Sequence, residues 1–325
     1  MTRPGLLFAG LILLSVCVLL IALLSGSAQI STSDAWQSLF GEAPEHIHSL
    51  IFQLRAPRAL TAYAVGGLLA VSGVLMQVLL RNPLAEPYIL GTSGGAAVAA
   101  LLGMMLGWGA FLIDVAAFAG AMTATLLVFS IAQGTGSWTP TRLLLTGVVL
   151  AAGFSATTTL LLALSPDQNL RGMLFWLMGD LSYSYAPQRL LWLLAIFTLA
   201  GVAAARHLDV LSRGDLPAAI LGLPVVPLRF IIFAVTALAT AVSVTAVGVI
   251  GFIGLVIPHL IRLLAGSKHR VLIPAAALAG GSLLVIADTL ARTILAPRQL
   301  PVGALTAAIG VPLFLLLMNR GRQRT

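Results

Sequence analysis

Three groupings in this 325-residue chain carry residue types that chemistry needs. The first is "GTSG" at 91–94, where Ser93 would be a nucleophile if a histidine from another segment, such as His259, served as its base. The second is "EHIH" at 45–48, which reads as an extended segment placing His46 and His48 on one side, as two ligands of a metal. The third is a pair of glycine clusters, "GTSGG" and "AGGS", of the kind that cradles phosphate. Each lacks a necessary companion. "GLVIPHLIR" around His259 reads as the end of an apolar span, and Ser93 follows the polar "RNPLAEP", where water would flood a dyad. Two histidines without a third ligand make a poor metal site. No GxxxxGK[ST] occurs, and the one lysine, Lys268, follows a serine, so the chain has no phosphate loop of its own. No cofactor or metal is expected on it.

The surroundings of these residues explain the failure. The chain is 59% apolar and 9% charged, with a mean hydropathy of +1.04. A soluble domain carries about 25% charged residues, and its surface must still be wetted. The solvent for most of this chain is lipid. Its formal charge of +8 comes from basic residues scattered singly through loops, which excludes nucleic acid as a partner. Cys17 lies in an apolar run and has no partner for an intrachain disulfide.

Apolar runs long enough to cross a bilayer, roughly 20 residues each, occur near 5–25, 58–80, 89–109, 111–132, 142–164, 187–205, 229–249, 250–266, 270–290 and 302–319. The glycine-rich "VGVIGFIG" is all that separates the seventh from the eighth, and "NLRGMLFWLMGDLS" (169–182) is too short to span. The first run is longer than the roughly 7–15 apolar residues of a secretory signal, which predicts a retained first span. With ten spans and the N-terminus inside, twelve of the eighteen Lys and Arg residues face the cytoplasm, as short loops require. Both termini are then cytoplasmic.

Arg55 and Arg58 in "QLRAPRAL", and Arg292 and Arg298 in "ARTILAPRQLP", stay outside against that bias. An arginine fork suits a carboxylate, so these residues either dock an acidic external partner or anchor helix ends and pair locally. Asp288 and Arg292, one helical turn apart, form such a candidate pair. The longest inward interruption, "ARHLDVLSRGDLPAAILGLPVVPLR" (205–229), holds two short apolar pieces broken at Gly214, Gly222 and Pro224. Exposed Leu216, Ile220, Leu221 and Leu223 would seek a partner surface.

"RNPLAEPYILGTSGGA", "LRAPR", "GDLPAAILGLP", "GFIGLVIPHLIRLLAG" and "LPVGALTAAIGVPLFLLLM" together resemble the ten-span permeases that import metal chelates: cobalamin, ferric siderophores and haem. The resemblance runs from about residue 50 to residue 320. It implies an all-α polytopic membrane protein of type II ABC importer architecture, a single permease domain over 1–325 with a coupling loop near 206–229, in a bacterial inner membrane. It also implies a homodimer with a pathway on its two-fold axis, two cytoplasmic ATPase subunits that use ATP and magnesium, and a periplasmic binding protein that delivers the chelate. Spans 2–5 and 7–10 would be inverted halves.

By position, Gly214, Asp215, Leu216, Pro217, Ala218, Ala219, Ile220, Leu221 and Gly222 resemble the coupling helix that enters the ATPase. Arg55, Arg58 and Arg292 match docking arginines. Asn82 and Leu84 match one cytoplasmic constriction, and Pro140 and Thr141 a second, where the family has small hydroxyl residues and proline departs from the pattern. Two other classes compete: an ion-coupled secondary transporter, which needs an intramembrane carboxylate or cation site, and an intramembrane serine protease built on Ser93.

Overall fold

The computed structural model describes residues 4–26, 31–38, 44–134, 139–182 and 187–322. Among them the regular structure is helical: α1 (Pro4–Leu24), α2 (Thr32–Ser38), α3 (Glu45–Ser49), α4 (Ala56–Leu80), α5 (Thr92–Met105), α6 (Ala110–Gln133), α7 (Pro140–Leu164), α8 (Asp167–Leu177) and α9 (Pro187–Ala203). The chain continues through α10 (Ala205–Leu211), α11 (Asp215–Ile220), α12 (Val225–Val247), α13 (Ile253–Ala265), α14 (His269–Thr293) and α15 (Val302–Arg322). A π-helical segment, Leu50–Arg55, runs into α4, and a single 3-10 turn, Pro87–Leu90, precedes α5.

Each of the ten apolar runs corresponds to a helix, but not to ten equal ones. Six segments are long and apolar enough to cross a bilayer alone, and α9 with α10 makes a seventh, bent by 63°. The other three, α5, α13 and the apolar part of α15, are shorter. With 14 and 13 residues, α5 and α13 each reach only about 20 Å. Irregular backbone makes up the remaining depth: residues 81–91 before α5 and 248–252 before α13. Such backbone survives at membrane depth only when protein surrounds and satisfies it. "EHIH" is not extended but forms α3, so His46 and His48 do not share a face; His48 instead stacks on Phe52 at 4.5 Å.

The centre of the bundle is α4 against α14, both largely buried. Small residues permit this. A methyl on Gly66 would strike the Gly280 carbonyl, and one on Gly73 the Gly254 carbonyl of α13. Gly280 of "AGGS" packs on Gly66 and Ala70, and Gly95 of "GTSGG" on Gly120, so the glycines that looked like phosphate cradles are packing surfaces, as lipid-embedded helices require. Polar contacts tie α1 to this centre: Tyr63 donates to Ser15 at 3.0 Å, and Ser15 meets Ser282 at 3.0 Å. The least covered span is α7, where Leu143 and Gly147 alone are buried.

Candidate functional site

At the end of the bundle where α4 terminates, the 205–229 interruption folds as two short helices. Asp209 in α10 accepts the His269 backbone N–H at 3.0 Å and sits 2.6 Å from that histidine's Nδ1, which fastens α10 to the start of α14. Gly214 then turns the chain at φ +124°, a conformation costly for any other residue, and α11 follows. Ala218 faces inward and is buried, whereas Leu216 and Ile220 are 73% and 76% exposed, and Leu221 is exposed beside them. The Asp215 carboxylate is shared by two arginines, Arg81 just past α4 at 3.2 Å and Arg229 in α12 at 3.1 Å. An apolar elbow thus projects from the bundle on a charged hinge.

Behind the hinge lies a cavity of about 1090 Å³, lined in part by Arg81, Asp215 and Arg229 and by Thr139, Pro140 and Thr141 at the start of α7. The Thr139 hydroxyl caps α7 by accepting the Arg142 N–H at 3.3 Å, and Pro140 occupies the first helical turn, where its missing N–H is harmless. The structure therefore brings Pro140 and Thr141 together with Asp215. Asn82 and Leu84 are not part of that lining. They form the turn after Arg81, which adopts the left-handed conformation at φ +51°. The Asn82 side chain accepts the Leu84 N–H at 2.9 Å and leaves the Leu84 side chain exposed.

At the opposite end, where α4 begins and α14 ends, the arginines expected at a docking surface turn inward. Arg58 grips Asp288 with Nε and Nη2 at 2.8–3.1 Å, and its Nη1 reaches Gln299 at 3.2 Å. Arg292 reaches the same carboxylate at 3.1 Å from one turn along α14. Arg55 donates to the Leu23 and Leu24 carbonyls at 2.9 and 3.1 Å, closing the end of α1. Arg55, Arg292 and Asp288 are 5%, 4% and 1% exposed, and the Arg58 side chain 11%. Local pairing therefore occupies all three arginines in this conformation, and Arg58 alone keeps an edge toward solvent. Asp288, flanked by two guanidiniums, is not arranged as a proton carrier. His259 lies edge-on to Phe314, 6.0 Å between rings.

Glu86, expected to be solvated in the polar "RNPLAEP" connection, and Tyr88, which the sequence did not mark, turn into the bundle instead. Glu86 reaches across to the break before α13 and accepts the Phe252 N–H at 2.8 Å. Tyr88 accepts the Ile250 N–H at 3.2 Å. They satisfy backbone donors that would otherwise be stranded. The available signal was an acid between two prolines in a chain with ten acidic residues in all.

Known proteins resemble this chain in sequence and fold. The FecCD transport family matches residues 12–320. The vitamin B12 import system permease protein BtuC of Escherichia coli O139:H28 is 41% identical over 320 residues, covering 96% of this chain and 95% of that one. The protein of the same name from Shigella boydii serotype 18 is 40% identical over the same shares. A solved ABC transporter assigned to the metal-chelate type, in an inward-facing conformation, superposes with a TM-score of 0.83 at 31% identity, covering 98% of this chain and 99% of its own. PsaBC from Streptococcus pneumoniae shares the fold, with a TM-score of 0.58 at 17% identity over 84% of this chain and 94% of its own. An all-helical bundle with a projecting elbow, matched along nearly its whole length, places this chain in the FecCD transport family.

Proposed function

We propose that this chain is the membrane permease of an ATP-driven importer that carries a metal chelate into a bacterial cell. One observation carries the reading: the chain has no phosphate loop, yet it holds out an apolar elbow, Leu216, Ile220 and Leu221, braced by Asp215 between two arginines. Such a surface needs a partner, and an ATPase cleft is the partner that supplies the missing motor. Two ATPase subunits would serve two copies of the chain.

The Asp215 end is then cytoplasmic and the Arg58 end periplasmic, in keeping with the majority of cations on the former side. The termini follow, both cytoplasmic, in the inner membrane. The bare face of α7 would turn toward the two-fold axis. Beyond Arg142 the helix carries no charged residue, and its Thr157 and Thr159 hydroxyls donate to their own helix at 3.0 Å, so the face offers no charge to grip a cargo. A bulky chelate needs such a wide path with few strong contacts.

ATP-driven approach of the two ATPases would press the elbows together, and the Arg81 and Arg229 ties to Asp215 would pass that motion to α4 and α12. Pro140 and Thr141, on the cavity behind the hinge, and the Asn82–Leu84 turn would form the cytoplasmic constriction. The periplasmic binding protein would meet the Arg58 edge, with Arg55 and Arg292 holding that edge in place.

Vitamin B12 is the first cargo to test, with ferric siderophores and haem beside it. Proteoliposomes with the cognate ATPase and binding protein should accumulate one of them with ATP, and none without the ATPase. Uphill transport by the chain alone would overturn the reading. The ion-coupled alternative loses support because its best carboxylate, Asp288, is already held by two arginines.

A further inference from the structure

The two irregular segments that interrupt the spans touch each other, and the contact continues to α7. On one side of the 3-10 turn, Glu86 and Tyr88 hold the Phe252 and Ile250 amides, and the Pro87 ring covers Gly254. Phe252 is one of two described non-glycine residues with positive φ, at +70°. Left-handed backbone is unfavourable for a bulky side chain, so external bonds hold this break in shape. On the other side, the Ile89 carbonyl rests in the notch left by Gly147 of α7, with no room for a methyl between them. The turn also packs on α4, α5, α6 and α12.

We propose that Glu86 and Tyr88 are positioning residues that lock the 86–90 turn to the break between α12 and α13, so that a movement of α12 reaches α7 through Ile89 and Gly147. On one flank, α12 starts beside the elbow, where Arg229 holds Asp215. On the other, α7 starts at Pro140 and Thr141. The turn is the piece that joins the end of α12 to the body of α7. Glu86 acts as an acceptor, so its hydrogen-bonding oxygen matters and its charge does not. The consequence for transport rests on the permease reading; the contact itself does not.

The test is hydrogen exchange of the full chain in lipid nanodiscs, without ATPase or cargo, so that failure of the permease reading leaves its outcome intact. Glu86→Ala and Tyr88→Phe each strand a buried amide, so exchange across 248–256 should quicken by about tenfold, together with the first turns of α7 at 140–147. The peptides of α14 should not change. Glu86→Gln keeps the acceptor and should match the parent within about twofold. Gly147→Ala pushes from the other side and should quicken 248–256 in return, since coupling between sites is reciprocal. Faster exchange at 248–256 with α7 unchanged would reduce Glu86 to a local cap and overturn the proposal. So would a uniform rise that includes α14, or a Gln variant that behaves like Ala.

Discussion

Arg58 and Asp288, 230 residues apart, meet through three N–H···O contacts of 2.8–3.1 Å. The pair closes the end of the α4–α14 seam, and Arg292 completes it from the far side of the carboxylate. Two guanidiniums on one buried carboxylate leave an excess positive charge at the rim, which suits an acidic partner. The same arrangement makes the carboxylate indispensable to the fold.

Asp288→Ala should therefore destabilise the bundle by about 3–5 kcal/mol, because it leaves buried guanidiniums without their counter-ion. Thermal unfolding in detergent, followed by size-exclusion chromatography, measures this. Replacing the whole cluster, Arg58→Met with Asp288→Leu and Arg292→Met, should cost much less, since no charge is then stranded.

The docking role proposed for Arg58 separates from its structural role in a swapped pair, Arg58→Asp with Asp288→Arg. The swap retains an ion pair, so the chain should insert and dimerise. Binding of the periplasmic protein should weaken, and the loss should be larger at low salt, where exposed charges act most strongly. Binding that is equally tight and indifferent to salt would remove Arg58 from the docking surface.

At the other end, Arg81 and Asp215 are each 38% exposed, so their bridge is worth little to stability, under about 1 kcal/mol, while the Arg229 side chain that completes the site is 11% exposed. Asp215→Arg should leave the fold intact while it drives Arg81 and Arg229 off the elbow, and Ile220→Pro should break α11. Either variant should insert normally, lose co-purification with the ATPase, and abolish transport. Unchanged co-purification would mean that α11 is not the coupling surface.

Gly73→Ala places a methyl against the Gly254 carbonyl and should cost about 1–3 kcal/mol in melting experiments, as overpacking does. Gly10→Ala in α1, where nothing lies within 4 Å, should be neutral or slightly stabilising. Equal effects at the two positions would contradict the close approach of α4 to α13.

Much of this architecture was already written in local composition. The ten apolar runs, the short amphipathic α8, the break at "VGVIGFIG" and the elbow at 214–222 each depend on hydropathy, glycine and proline within a single stretch of chain, and each reads directly. Depth and partnership were decided by packing. Whether Arg58 faces an external partner or Asp288 depends on α4 and α14 lying antiparallel, which their own residues do not declare. The short reach of α5 and α13 follows from backbone donors that Glu86 and Tyr88 satisfy from elsewhere in the chain, at Phe252 and Ile250. Apolar periodicity is a property of neighbours in sequence, whereas a buried charge or an irregular amide is settled by whatever the folded bundle brings within about 3 Å of it.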